Sequence, residues 1–163
     1  QKNFQFLIKN FKTINENHKN FYLVILGDGE EKKKLFETIN NLGIADKVLL
    51  LGFQKNIYPY LKNSKCFVLS SLWEDPGFVL IEAAFLNSAI ISSDCPNGPE
   101  ELIEKDNGGF LFKNNDSDSF QRKFNEFIND KNNLKKRVFI KKKVLEFTEF
   151  RHANNLIKIL NEK

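Results

Sequence analysis

From Gly77 to Leu86 the chain reads GFVLIEAAFL, ten residues in which Glu82 is the only polar side chain. A helix apolar all round is buried all round, and an unpaired ionised carboxylate is costly there. Glu82 must therefore be neutralised, paired, or bonded to a ligand. The loop before it, Trp73-Glu-Asp-Pro-Gly77, predicts a helix start with Pro76 in the first turn, which leaves the N–H groups of Gly77, Phe78 and Val79 to face an anion. Glu82, six residues past Pro76, then lies about 9 Å along the axis. That is the reach from a phosphate to the hydroxyls of an attached ribose, whose protons a carboxylate accepts. Glu74 stands on the other side of this phosphate seat. Plainer readings exist for each acid: a buried ion pair for Glu82, a surface loop for Glu74, and for Asp75 the N-cap, which would compete with phosphate for the same amides.

A scaffold must hold these groups. Phe4, Leu7, Ile8, Phe11 and Ile14 recur at helical spacing, predicting a first helix that ends in the polar stretch Asn15 to Asn20. Strands are predicted at Phe21 to Leu26, Lys47 to Leu51, Cys66 to Ser70, Ala89 to Ser92 and Gly109 to Phe112. Between them, helices are predicted from Glu30 to Leu42, stopped by Gly43, from Ile57 to Leu61, from Gly77, and from Pro99 through Glu104. Everything after Asp116 reads as helical. Strands that are solid apolar runs alternating with helices mean α/β: a Rossmann-like, doubly wound parallel sheet with helices on both faces. Ligands of such sheets sit beyond the carboxyl ends of the strands, so Ser70 and the loop after it are on the binding side. Such a unit starts with a strand, whereas this chain starts with a helix, contains no Met and begins at Gln. A fragment lacking its first strand is expected.

Composition narrows the classes. A chain of 163 residues, 41% hydrophobic with 17 Phe, supports a core without disulfides or metal. Cys66 and Cys95 stand apart in or beside apolar runs, which argues against a disulfide framework or a four-ligand zinc site and for a reducing cytoplasm. No apolar run reaches the roughly 20 residues of a membrane-spanning helix. The net charge of +4 comes partly from the runs Lys32 to Lys34 and Lys141 to Lys143, read as solvated helix faces in preference to a nucleic-acid or anionic-lipid patch. His18 and His152 sit in polar surroundings and are expected to be exposed and without a role.

Glu74 and Glu82 frame a Glu-x7-Glu spacing inside Ser-x3-Glu-x2-Gly-Phe-x3-Glu-Ala. This resembles the signature of the retaining nucleotide-sugar glycosyltransferases of family four (glycosyl transferases group 1). Leu7 to Phe11 (LIKNF), Val24 to Glu30 (VILGDGE), Leu42 to Phe53 (LGIADKVLLLGF) and Ala89 to Gly109 follow that family's order, so the resemblance covers nearly the whole chain. It implies one half of a GT-B fold: residues 1–163 as the C-terminal, donor-binding domain, without its first strand and without the N-terminal acceptor domain. It implies further that Glu82 binds the donor ribose, that Glu74 binds the donor sugar's hydroxyls, and that Gly77, Phe78 and Val79 hold the diphosphate. Lys2 stands at the position of a lysine that the family sets against the diphosphate; an arginine used with it would precede residue 1. Phe53 stands near where backbone groups meet the base, and Ser70 borders the same crevice.

The sequence departs from the family's usual Glu-Gly-Phe-Gly in having Glu74-Asp-Pro-Gly-Phe78. Asp116-Ser-Asp118 mimics the metal motif of a different transferase architecture but, at the start of a helix, reads as an N-cap cluster. The expectation is a metal-independent transferase fragment without a cofactor, taking a nucleoside-diphosphate sugar, with uridine diphosphate preferred to guanosine diphosphate, in polysaccharide or glycoconjugate biosynthesis. Its partners would be the nucleotide-sugar and the missing domain. No nucleic acid is expected, nor membrane contact through this domain. Two alternatives stay open: half of a nucleotide-sugar epimerase, and a flavodoxin-like phosphate-responsive module using Asp28 and Asp94.

Overall fold

The computed structural model describes residues 1–75 and 77–161, without the side chains of Glu149, Phe150, His152 and Asn155. The N-terminal apolar spacing makes α1, Phe4–Asn17. Five strands alternating with four helices follow: β1 (Leu23–Ile25), α2 (Lys32–Asn41), β2 (Val48–Leu50), α3 (Tyr58–Asn63), β3 (Phe67–Leu69), α4 (Phe78–Phe85), β4 (Ile90–Ser93), α5 (Pro99–Ile103) and β5 (Phe110–Phe112). Three helices close the chain, α6 (Ser117–Asn129), α7 (Asn133–Val144) and α8 (Glu149–Asn161), with a 3-10 turn at Leu145–Phe147 before α8. Gly43 stops α2 at φ +64, a left-handed position that suits glycine.

Every strand pairing is parallel. The strands form two sheets, β1-β2 and β3-β4-β5. In β4 the side-chain alternation sends Ile91 to one core and Ile90 to the other, so the whole strand is buried. Phe6, Leu7, Ile8, Phe11 and Ile14 of α1, with Leu35 and Ile39 of α2 and Phe120, Phe124 and Phe127 of α6, pack on one face. On the other face lie α3, α4, α5 and α7, contributing Leu61, Leu80, Ile103 and Ile140.

Coverage is less even than the apolar runs predict. Val24 of β1 and Leu49 of β2 are 41% and 44% exposed, because α1 and α2 cover only one face of that sheet. His18 is not a bare surface residue either. It is half-buried, with Phe21 and Phe124 rings at 5.9 and 6.0 Å. The His152 side chain lies outside the described residues. Lys32 and Lys34 do sit on a solvated face, pairing with Asp28 and Glu31. In α8, Leu156, Ile157, Ile159 and Leu160 are exposed and leave an apolar face bare.

Candidate functional site

The chain enters α1 at the carboxyl end of β3. Gln1 O accepts a hydrogen bond from Leu72 N at 2.9 Å, and Lys2 O accepts one from Ser70 Oγ at 2.8 Å. Ser70 thus acts here through its hydroxyl on the backbone of Lys2. Asn114, after β5, donates from Nδ2 to Leu72 O at 2.8 Å and from its N–H to Asp94 Oδ1 at 2.6 Å. The ends of β3, β4 and β5 and the start of α1 are knit into one rim.

Glu74 is at the centre of this rim. The plainer reading of Glu74 as a surface-loop acid fails: the residue is 3% exposed, because its N–H bonds Pro96 O at 3.2 Å and the Ser71 hydroxyl donates to Oε1. Lys2 Nζ donates to both carboxylate oxygens, at 2.7 and 2.9 Å. Sequence reasoning brought Lys2 and Glu74 to one site but gave them separate ligand groups; the structure gives them to each other.

Gly77 explains why the loop folds this way. It is the N-cap of α4 at φ +79, and a Cβ there would meet Glu74 Cβ and Cγ at 3.5 Å. A left-handed cap is open to glycine without strain, so the helix can start directly against the Glu74 side chain. Two expectations change. Asp75 is exposed and is not the N-cap, and no side chain among the described residues caps the helix. The helix begins at Phe78, so Pro76, expected in the first turn, precedes it and lies outside the described residues. The N–H groups of Gly77, Phe78 and Val79 have no acceptor among the described loop and cap bonds. An uncapped helix start of this kind favours an anion.

The helix is not buried all round. Leu80, Ile81, Ala83 and Ala84 are buried, but Phe78 is 69% exposed and Val79 and Glu82 are half-buried. Among the described residues the Glu82 carboxylate has no hydrogen-bond or ion-pair partner. It stays accessible to solvent, and so to a ligand. Phe53 is exposed just past β2, and Trp73 beside Glu74 is half exposed.

An open depression of about 580 Å³ lies past the end of β4, lined by Asp94, Cys95, Asn97, Gly98, Glu100 and Glu101 with Pro96. Neither Lys2, Glu74 nor Glu82 lines it. Its three carboxylates disfavour a diphosphate, and Glu74 adjoins it through the bond from its N–H to Pro96 O. Burial pushes the Cys95 thiol up, opposed by the nearby Ser93 hydroxyl and reinforced by the charges of Glu74 and Asp94. Asp116 caps α6, its Oδ1 accepting from Ser119 N at 2.9 Å. Asp94 and Asp28, the acids of the flavodoxin-like alternative, follow strands of different sheets, β4 and β1.

Two residues escaped sequence reasoning. Ser71 and Ser93 are buried, Ser71 bonding Glu74 and Ser93 Oγ donating to Ser71 O at 2.7 Å. The spacing Ser71-x-x-Glu74 was the available signal for the first; nothing local marks the second.

Comparison with known proteins bears on the family and the fold. The model of the family described as glycosyl transferases group 1 matches residues 1–144. An uncharacterized glycosyltransferase of Methanocaldococcus jannaschii is 52% identical over 103 residues, 63% of this chain and 25% of that protein. A Campylobacter jejuni enzyme named as an N-acetylgalactosaminyltransferase acting on a diphospho-undecaprenol saccharide is 36% identical over 121 residues, 74% of this chain and 32% of that protein. The chain therefore spans about a quarter to a third of the length of these curated relatives. Among solved structures, the pneumococcal O-GlcNAc transferase GtfA in complex with UDP and GlcNAc superposes with a TM-score of 0.87 at 20% identity, over 99% of this chain and 33% of that one. At that identity the likeness speaks for the fold alone.

Proposed function

The chain belongs to the glycosyl transferases group 1 family, and on that premise we propose that it is the donor-binding domain of a retaining, metal-independent enzyme that moves a sugar from a nucleoside diphosphate to an acceptor. Glu82 carries the reading: it is half-buried on an apolar helix and has no partner among the described residues. In this reading the ribose hydroxyls supply the missing bonds, and the amides of Gly77, Phe78 and Val79 take the diphosphate. Lys2 and those amides offset charge on the departing diphosphate, which is where such a reaction gains most. Glu74 orients the sugar. Phe53 stands beside the base. Uridine diphosphate is preferred to guanosine diphosphate, in keeping with the neighbour solved with UDP.

The split sheet supports assigning residues 1–163 to a domain that lacks one strand. With a strand placed ahead of β1, the orders β2-β1 and β3-β4-β5 join into the doubly wound order 3-2-1-4-5-6. Such a strand would enter between β1 and β3 and deliver the chain to Lys2, which is already anchored at the carboxyl end of β3. Acceptor binding belongs to a second domain, and the isolated chain binds nucleotide but transfers little or nothing. The setting is cytoplasmic, and any membrane contact of the whole protein is made elsewhere than through this domain. No helix among the described residues is long and apolar enough to cross a membrane.

The test is calorimetric titration of the chain with uridine and guanosine diphosphates and their sugars, in the presence of a chelator. Metal-independent binding of a nucleoside diphosphate is expected. Binding that requires a divalent cation, or that is equally tight in Glu82→Ala, overturns the reading.

A further inference from the structure

The two groups assigned to the donor cannot serve it while they hold each other. Lys2 Nζ spends two donors on the Glu74 oxygens, and the Glu74 side chain is 4% exposed against 43% for Lys2. The lysine thus covers the carboxylate from the solvent side. Everything else around Glu74 is fixed. Its N–H is bonded to Pro96 O, its Oε1 to the Ser71 hydroxyl, and its Cβ and Cγ lie beside Gly77, 3.5 Å from where a Cβ would be. Ser71 is itself held, by Ser93 Oγ on its carbonyl oxygen. In this arrangement Lys2 is the member free to leave, swinging on a long flexible stem while its backbone stays bonded to Ser70.

We infer that Glu74 and Ser71 form a holding site for Lys2 from which the donor diphosphate displaces it. Lys2 exchanges a carboxylate for a phosphate, Glu74 is thereby uncovered for the sugar hydroxyls, and Ser71 is the positioning residue that keeps the carboxylate in place through the exchange. The inference rests on the donor-binding reading. Its physical content is that one charge-assisted pair is traded for another. The gain from Lys2 is then a difference, and Glu74 opposes the binding of a diphosphate that carries no sugar.

Calorimetry with uridine diphosphate tests this on the chain, Glu74→Gln, Lys2→Met and the double variant. Glu74→Gln keeps the shape and an oxygen for Ser71 but removes the charge that competes for Lys2. Affinity for uridine diphosphate is expected to rise roughly threefold to tenfold, the pair being partly solvent-screened, and the rise is expected to vanish in the Lys2→Met background. A Glu74 that merely supports the loop gives unchanged or weaker binding in both backgrounds, which overturns the exchange. A chain that binds no nucleoside diphosphate at all overturns the donor-binding reading instead.

A second measurement does not depend on Glu74→Gln folding. In the reductively methylated chain, the dimethyl-lysine NMR signal of Lys2, assigned with Lys2→Arg, is expected to move on adding uridine diphosphate and not on adding uridine. An unmoved signal overturns the exchange. Ser71→Ala is expected to shift the ligand-free Lys2 signal toward those of solvent-exposed lysines, and Ser71→Thr to restore it. No shift in Ser71→Ala removes Ser71 from the proposal.

Discussion

Lys2 and Glu74, 72 positions apart, face each other across the mouth of β3, the lysine nitrogen 2.7 and 2.9 Å from the two carboxylate oxygens. The acid that a lysine holds is therefore the loop acid. The helix acid, Glu82, has no such partner among the described residues. This departs from the first physical expectation, in which Glu82 was the buried charge needing compensation. It also sharpens the functional question, since an unpaired carboxylate beside an uncapped helix start is open to ligand hydroxyls, whereas Glu74 has first to be uncovered.

Glu82→Gln separates ligand contact from structural support. It breaks no pair seen among the described residues, so stability is expected to change by about 0.5 kcal/mol or less. Affinity for uridine diphosphate is expected to fall about tenfold or more, since about 1.4 kcal/mol accompanies each factor of ten. Thermal melts and titration calorimetry on the same sample check both. Undiminished affinity would remove Glu82 from the site.

Cys66 provides a pH signature. Burial pushes its thiol from the ordinary 9.0 up to about 12, with Lys65 acting weakly the other way. The folded chain therefore holds this proton more tightly than the unfolded one. Its contribution is complete below pH 9.0 and is lost as pH rises from there toward about 12. Denaturation curves between pH 8 and 10.5 are expected to show a falling stability that is shallower in Cys66→Ala. The half-buried native thiol should also resist alkylation at pH 8, and rapid labelling would contradict this upward shift.

Gly109→Ala tests the β4-β5 seam. A Cβ at this position would sit 2.8 Å from Ile90 O, a backbone atom that cannot move aside without disturbing the sheet. Overpacking of this kind costs about 1–3 kcal/mol. Gly29→Ala, where a Cβ meets nothing within 4 Å, is the matched control, expected within about 0.5 kcal/mol of the parent. Urea midpoints of the two variants should differ accordingly.

Asp116→Ala distinguishes a helix cap from a metal ligand. Loss of the bond from Ser119 N is expected to cost about 1 kcal/mol in urea denaturation. Affinity for uridine diphosphate should be unchanged, with or without manganese. A manganese-dependent loss of nucleotide binding would return Asp116 and Asp118 to the metal reading.

Alone, the sequence determined the features that are settled between near neighbours in the chain. Apolar spacing in α1 and α6, the αL stop at Gly43, the Pro99 start of α5 and the Asp116 cap all depend on groups a few residues apart, so they were legible. The solid apolar strands and the Glu-x7-Glu spacing likewise made the parallel α/β class and the family readable. Only the tertiary structure decided which acid is paired, because Lys2 reaches Glu74 through the docking of α1 on the end of β3. It also decided that Gly77 caps α4 in place of Asp75, since the way the loop is held beside Glu74 puts the left-handed φ of +79 at residue 77, where glycine adopts it without strain. The half-exposure of Val24, Leu49 and Glu82 was beyond sequence for the same reason: burial is a property of what the neighbouring elements cover.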